Sequence, residues 1–248
     1  MPEAVQAYAS SGGGFEGARR VQTRLLRDYE HDFAKHVERP IDTERIRQTW
    51  RSVPLQLAVE GDVRRFIYAQ IEEGGRGRDY RDAVAWLVDA GLVTKVPRIK
   101  ELLLPLAAYE DERCFKLYLL DVGLLGAATN LDVKTLLEEN RLFTHYKGLY
   151  AEQYVCQQLV ASNRCTPRYW SADGKVEKGE IDFLYEYEGV VYPVEVKAEE
   201  NVRGSSLARF AKEHGIERSI RLSMRGYKDQ GWMVNLPLYA ANGLPMAV

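Results

Sequence analysis

Apolar residues recur every four positions from Val21 through Leu25 and Tyr29 to Phe33, which predicts a helix with one greasy stripe that needs a partner surface. A shorter helix is expected before it, interrupted by the glycine-rich SGGGFEGA (11–18). Pro40 ends this unit. A further helical stretch carries Ile46, Trp50 and Val53 until Pro54, where a break is expected. Val63, Phe66, Ile67 and Ile71 space as another amphipathic helix, GGRGR (74–78) reads as a loop, and Asp79 is placed to cap a helix bearing Tyr80, Val84, Leu87 and Val88. Gly91 stands where a helix C-terminus wants a left-handed residue. LVTKV (92–96) then reads as a strand, 98–112 as a long loop, and CFKLYLLD (114–121) as a returning strand. Helix, helix and a two-stranded wing outline a winged-helix-like module.

Composition narrows the class. The chain has 248 residues, 46% apolar and 28% charged, enough for one large domain or two modest ones and too apolar for a disordered chain. Its 34 basic and 36 acidic side chains leave a net charge of -2, so binding to nucleic acid must be local. Three cysteines, without a C-x-x-C pair, fit reduced thiols in a cytoplasmic protein. No basic region followed by an apolar run opens the chain, and the greasiest window, LLLPLAAY (102–109), is broken by Pro105, so neither export nor a membrane partner is expected. Neither glycine-rich loop continues into Lys-Ser/Thr, so the chain holds no P-loop and no ATP site.

Arg76, Arg78 and Arg81 cluster near the start of the second wing-module helix, where base-reading residues would lie, but Asp79, Asp82 and Asp89 oppose them. Protein packing is the favoured role there. His31, His36, His145 and His214 lack metal-ligand spacing, Cys156 reads as a small packing residue, and Trp170 as core. Arg203, Arg209 and Lys212 could guide a phosphate backbone, with a solvated helix face as the default reading.

The chemistry concentrates in 147–200. KGLYAEQYVCQQLVAS reads as a helix with Leu149, Val155, Leu159 and Val160 apolar and Glu152 among them. GEIDFLYEYEG and VVYPVEVKA alternate with period two and meet at Glu188-Gly189, a plausible hairpin turn because glycine takes positive φ freely. Residue numbers of opposed pairs then sum to 377. Ile181 faces Val196, Phe183 faces Val194 and Tyr185 faces Tyr192 on an apolar side, while Asp182 faces Glu195 and Glu180 faces Lys197 on the other. Two opposed carboxylates have Cβ atoms only ~5 Å apart and repel unless a cation or proton intervenes. Mg²⁺ or Mn²⁺ suits such oxygens, with Lys197 beside a bound water and scissile phosphate. The alternative is a solvated face with an ordinary cross-strand salt bridge, worth ~0–1 kcal/mol.

Helical Glu152, Asp182 in GEIDF and the Glu195-Val196-Lys197 run resemble the restriction-endonuclease-like core of the PD-(D/E)xK superfamily, with Glu180-Ile181 in place of the proline before the Asp. The resemblance implies Asp182 and Glu195 as metal ligands, Glu152 as an accessory metal ligand or an acid just behind the ligands, and Lys197 as the catalytic lysine. FKLYLLDVGLL (115–125), KGLYAEQYV, PVEVKA (193–198), SLARF (206–210) and NLPLYAA (235–241) also resemble the DUF4143 region at the C-terminus of AAA-type ATPases. Those proteins place a P-loop ATPase first, then a winged helix, then this domain.

The expected architecture is therefore α/β, with a helical N-terminal part and a mixed sheet flanked by helices. Residues 1–40 are read as a helical remnant of an ATPase lid, 41–125 as winged-helix-like and 126–248 as nuclease-like. The function implied is Mg-dependent DNA phosphodiester cleavage, and a second copy is a candidate partner because single-cut domains of this class often pair. A non-catalytic nucleic-acid- or protein-interaction module regulated by the ATPase domain is the alternative.

Overall fold

The structure, a computed structural model, describes residues 2–37, 39–58, 65–132, 144–172, 179–198 and 205–246. It is mixed α/β, with helices first and then an eight-stranded mixed sheet with helices. Two compact units divide the chain: Met1–Glu60, Phe66–Thr94 and Leu117–Tyr146 form one, and Gly61–Arg65, Lys95–Lys116 and Lys147–Val248 the other.

The first unit holds α1 (Pro2–Ser10), α2 (Phe15–His36), α3 (Pro40–Ala58), α4 (Gly77–Asp89) and α5 (Val122–Ala128). The stripe on α2 finds its partners in aromatic rings. Phe33 is buried and meets Trp50 and Trp86 edge-on at centroid distances of 6.3 and 5.4 Å, and Tyr29 meets Trp50 at 6.3 Å. α1 lies against α2 at Gly17, where a Cβ would come within 3.3 Å of the Ala7 carbonyl oxygen. Asp121 caps α5 by accepting hydrogen bonds from the Gly123 and Leu124 N–H groups.

Three expectations are corrected here. Pro54 lies inside α3 and does not break it. A proline there removes one helical hydrogen bond at roughly 3 kcal/mol, and burial of Ile46, Trp50, Val53 and Leu57 on the same helix offsets that. The amphipathic helix expected through Phe66 and Ile71 is an extended segment and a single 3-10 turn, Tyr68–Gln70; Val63 lies outside the described residues. Its Ile67 N–H donates to the Gln56 side chain at 2.8 Å, which satisfies the backbone without a helix. Finally, α4 starts at Gly77, so Asp79 sits in its first turn instead of capping it. Gly91, with φ +68°, closes α4 as expected: its N–H donates to Val88 O and Leu92 N–H to Leu87 O.

The wing strands are β1 (Val93–Ile99) and β2 (Glu110–Leu119); the loop between them is shorter than expected because β2 begins at Glu110. The second unit adds α6 (Thr144–Ala161), β3 (Arg168–Ser171), β4 (Glu180–Tyr187), β5 (Val190–Lys197), α7 (Ser205–Glu213), β6 (Ser219–Ser223), β7 (Lys228–Asp229) and β8 (Met233–Pro237). Strand order is β2-β1-β3-β4-β5-β6-β8-β7. β4 runs antiparallel to β3 and β5, whereas β5, β6 and β8 are mutually parallel. Ile99, Leu106, Ile181, Leu184, Leu207, Phe210 and Met233 form one apolar core, with Trp170 packed against it.

Candidate acidic centre of the mixed sheet

The β4–β5 hairpin turns at Glu188 and Gly189, both with positive φ. Its rungs Phe183–Val194, Leu184–Pro193, Tyr185–Tyr192, Glu186–Val191 and Tyr187–Val190 all follow the register expected from the alternation. The last of these rungs counted from the turn, Phe183–Val194, lies one step before Asp182 and Glu195. There a side chain joins the ladder: the Val196 N–H donates to Asp182 Oδ2 at 2.7 Å.

Glu195 is held on both oxygens. Ser206 Oγ, at the start of α7, donates to Oε1 at 2.8 Å, and Lys197 Nζ lies 3.4 Å from the same oxygen. Arg221 occupies the neighbouring rung on β6 and donates from Nε to Oε2 at 3.2 Å. Glu195 and Arg221 are buried, while the Lys197 side chain is 41% exposed.

The remaining acids meet a different cation. Lys116, from β2 and fully buried, donates to Glu180 Oε1, and its Nζ lies 3.9 Å from Glu152 Oε2 on α6. Lys197 thus reaches along its own strand to Glu195, and Lys116 takes the place expected for it opposite Glu180. Tyr169 sits under the Lys116 ammonium, 4.9 Å from ring centroid to Nζ, and its hydroxyl meets Cys114 Sγ at 3.2 Å. Burial above all, and then the charge of Glu152, push the Asp182 carboxyl up to about 7, against the pull of Lys116 and the Val196 N–H. For Lys116, burial works against the charged form, but the carboxylates of Glu180, Glu152 and Asp182 outweigh it and raise the pKa. This is no solvated outer face: Glu195, Glu152 and Lys116 are all buried.

The polar seam thus has two parts, Glu152, Glu180 and Asp182 around Lys116 and Glu195 with Ser206, Lys197 and Arg221, linked where the Val196 N–H donates to Asp182. As a metal site the seam does not fit. Mg²⁺ demands open oxygens in near-octahedral array, and both Glu195 oxygens already accept from protein donors while Glu152 lies next to a buried ammonium. Among the described residues, no three His, Cys, Asp or Glu side chains are grouped so as to hold a metal ion.

Sequence reasoning missed Lys116, Arg221 and Ser206. The two cations carried a signal nonetheless: each is the one charge within a mostly apolar run, CFKLYLL and SIRL, where burial demands a partner. Other residues play quieter parts. Burial pushes the Cys156 thiol up, which suits packing and not nucleophilic attack. Trp170 and His214 pack against Phe210. Arg78 and Arg81 on α4 and Arg76 just before it are exposed, as are Arg209 and Lys212 on α7; Arg203 lies outside the described residues.

Residues 1–135 of the 248 match the family model of the domain of unknown function DUF8612. The chain belongs to the DUF8612 family. Downstream of its DUF8612 part, residues 147–239 match the domain of unknown function DUF4143, so the acids of the seam on α6, β4 and β5 all fall within that second match. Of the seam's cations, Lys116 belongs to the DUF8612 part, and Lys197 and Arg221 to the DUF4143 match. No curated protein and no solved structure matches this DUF8612 chain. No described helix is long and apolar enough to cross a membrane.

Proposed function

We propose that the chain is the winged-helix-like and nuclease-like portion of an AAA-type ATPase family protein, and that its nuclease-like part is a non-catalytic module that holds DNA under control of the ATPase domain. The DUF4143 match and the helix–helix–strand–strand order support the placement in that family. The observation that carries the non-catalytic reading is Glu195, the acid the resemblance makes a metal ligand, whose two oxygens are taken by Ser206, Lys197 and Arg221. Lys197, the half-exposed cation of the seam, is the group left to meet a phosphate. A cytoplasmic location goes with this reading and with three free thiols.

A second reading, Mg-dependent phosphodiester cleavage, is favoured by the bond to Asp182 from the N–H of Val196, which lies between Glu195 and Lys197 in the strand. One pair of assays separates the two. Duplex and single-stranded DNA are titrated against the chain at several salt concentrations, and cleavage is followed with Mg²⁺ or Mn²⁺. Salt-dependent binding without cleavage is expected. Metal-dependent cleavage that disappears in Asp182→Asn and Glu195→Gln would establish the second reading instead.

A further inference from the structure

The parallel strands β5, β6 and β8 end side by side: Lys197 pairs with Ser223, and Ser223 with Pro237, at their carboxyl ends. The chain leaving β6 bears Tyr227, and the chain leaving β8 bears Tyr239. These residues are 65% and 79% exposed, and among the described residues they are the only aromatic ones more than half exposed. A single exposed apolar residue is ordinary; two tyrosines at one end of one sheet form a surface. Positive charge gathers at the same end. Lys197 is half-exposed, and Arg225 and Lys228, on either side of Tyr227 in the chain, are exposed. The one acid from β6 to Met246 is Asp229, which accepts from Arg218 and from the Gly231 N–H.

Two buried side chains tie down the loop that presents Arg225 and Tyr227. Ser223 Oγ donates to Asn235 Oδ1 at 2.8 Å and accepts from the Arg225 N–H at 3.2 Å, while Asn235 Nδ2 donates to the carbonyl oxygens of Gly226 at 2.9 Å and Arg225 at 3.4 Å. With three backbone groups fixed, a partner meets Tyr227 without first ordering the loop. Rings beside cations fit a chain that carries flat apolar groups and negative charges together. Single-stranded DNA is such a chain, whereas in a duplex the base faces are already stacked on one another and only the phosphates would meet this surface. We propose that this end of the sheet is a platform for single-stranded DNA, with bases stacked on Tyr227 and Tyr239 and phosphates met by Lys197, Arg225 and Lys228. The inference rests on the reading that this part of the chain holds DNA, and it adds which form of DNA is held and where the bases lie.

The test is fluorescence anisotropy of the full chain with a labelled single-stranded oligonucleotide, the duplex of the same sequence, and labelled heparin, a polyanion without bases. The parent is expected to bind the single strand more tightly than the duplex. Tyr227→Ala and Tyr239→Ala should each weaken single-strand binding by about 5- to 100-fold. Both should leave heparin affinity and the slope of log affinity against log salt unchanged, because no phosphate contact is lost. Tyr227→Phe and Tyr239→Phe, which keep the ring, should bind as the parent does. Both tyrosines are exposed, so all four variants should melt as the parent does. A parent that prefers duplex overturns the platform, as do alanine variants that both keep full single-strand affinity, the result expected of an aromatic patch that docks another protein. An equal loss for heparin overturns it too. In each of these cases the proposed function still stands or falls on Lys197→Met. Absence of binding by the parent to either form of DNA overturns the proposed function and the platform with it.

Discussion

Arg221 grips Glu195 across the β5–β6 rung: its Nε donates to Oε2 at 3.2 Å, with 8% and 4% of the two side chains exposed. Parallel strands set residues of equal rung side by side, so the pair is made by strand order and not by closeness in sequence. Breaking such a pair from one side leaves a buried charge uncompensated. Arg221→Met is expected to cost roughly 3–5 kcal/mol, and adding Glu195→Gln to return much of that loss. Urea unfolding of the two single variants and the double variant checks the coupling; additive losses would mean that the pair contributes nothing of its own.

The Asp182 carboxyl is raised from 3.8 to about 7. Between those values the folded chain keeps a proton that the unfolded chain has released. The contribution to stability is complete below the lower value and is lost as pH rises through the upper one. Unfolding free energy of the parent, measured against Asp182→Asn, should therefore fall between pH 4 and pH 8. Parallel curves for the two proteins would show that Asp182 titrates normally.

Lys197 is the exposed member of the seam. Its replacement by methionine should change stability by less than about 1 kcal/mol, since a half-solvated ion pair contributes little. DNA affinity should drop, and the slope of log affinity against log salt should decrease by about one if the ammonium meets a phosphate. Fluorescence anisotropy over a salt series reads both quantities, and an unchanged slope would remove Lys197 from the interface.

Gly91 ends α4 in the left-handed region, and nothing lies within 4 Å of where a Cβ would stand. Gly91→Ala therefore suffers backbone strain alone and should cost about 1 kcal/mol, a fall in melting temperature of roughly 2–4 °C. A much larger loss would point to crowding at that helix end.

Local features were legible from the sequence, and features closed by distant strands were not. The β4–β5 register followed from alternation around a two-residue turn because both partners lie within 18 residues of each other, Glu180 to Lys197. α2 was readable because its stripe repeats four times, whereas the stretch through Phe66 and Ile71 repeats over too few residues for periodicity to separate a helix from an extended hook. Pro54 misled because one lost hydrogen bond was weighed without the burial of its neighbours. Asp182, Glu195, Glu152 and Lys197 were legible as candidates, yet their partners Lys116 and Arg221 depend on β2 and β6 being brought to them, and no spacing encodes that.

The β1–β3 pairing has a consequence for how the chain assembles. Arg98 pairs with Tyr169 and Ile99 with Trp170, in parallel, some seventy positions apart, while β4 and β5 are joined by two residues. Closing so long a loop costs chain entropy before any contact repays it, whereas a tight hairpin can form within microseconds. The ribbon bearing Asp182 and Glu195 should thus exist early, and Lys116 should reach its acids only in the last, slowest stage of folding, so that neutralisation of the seam coincides with completion of the sheet.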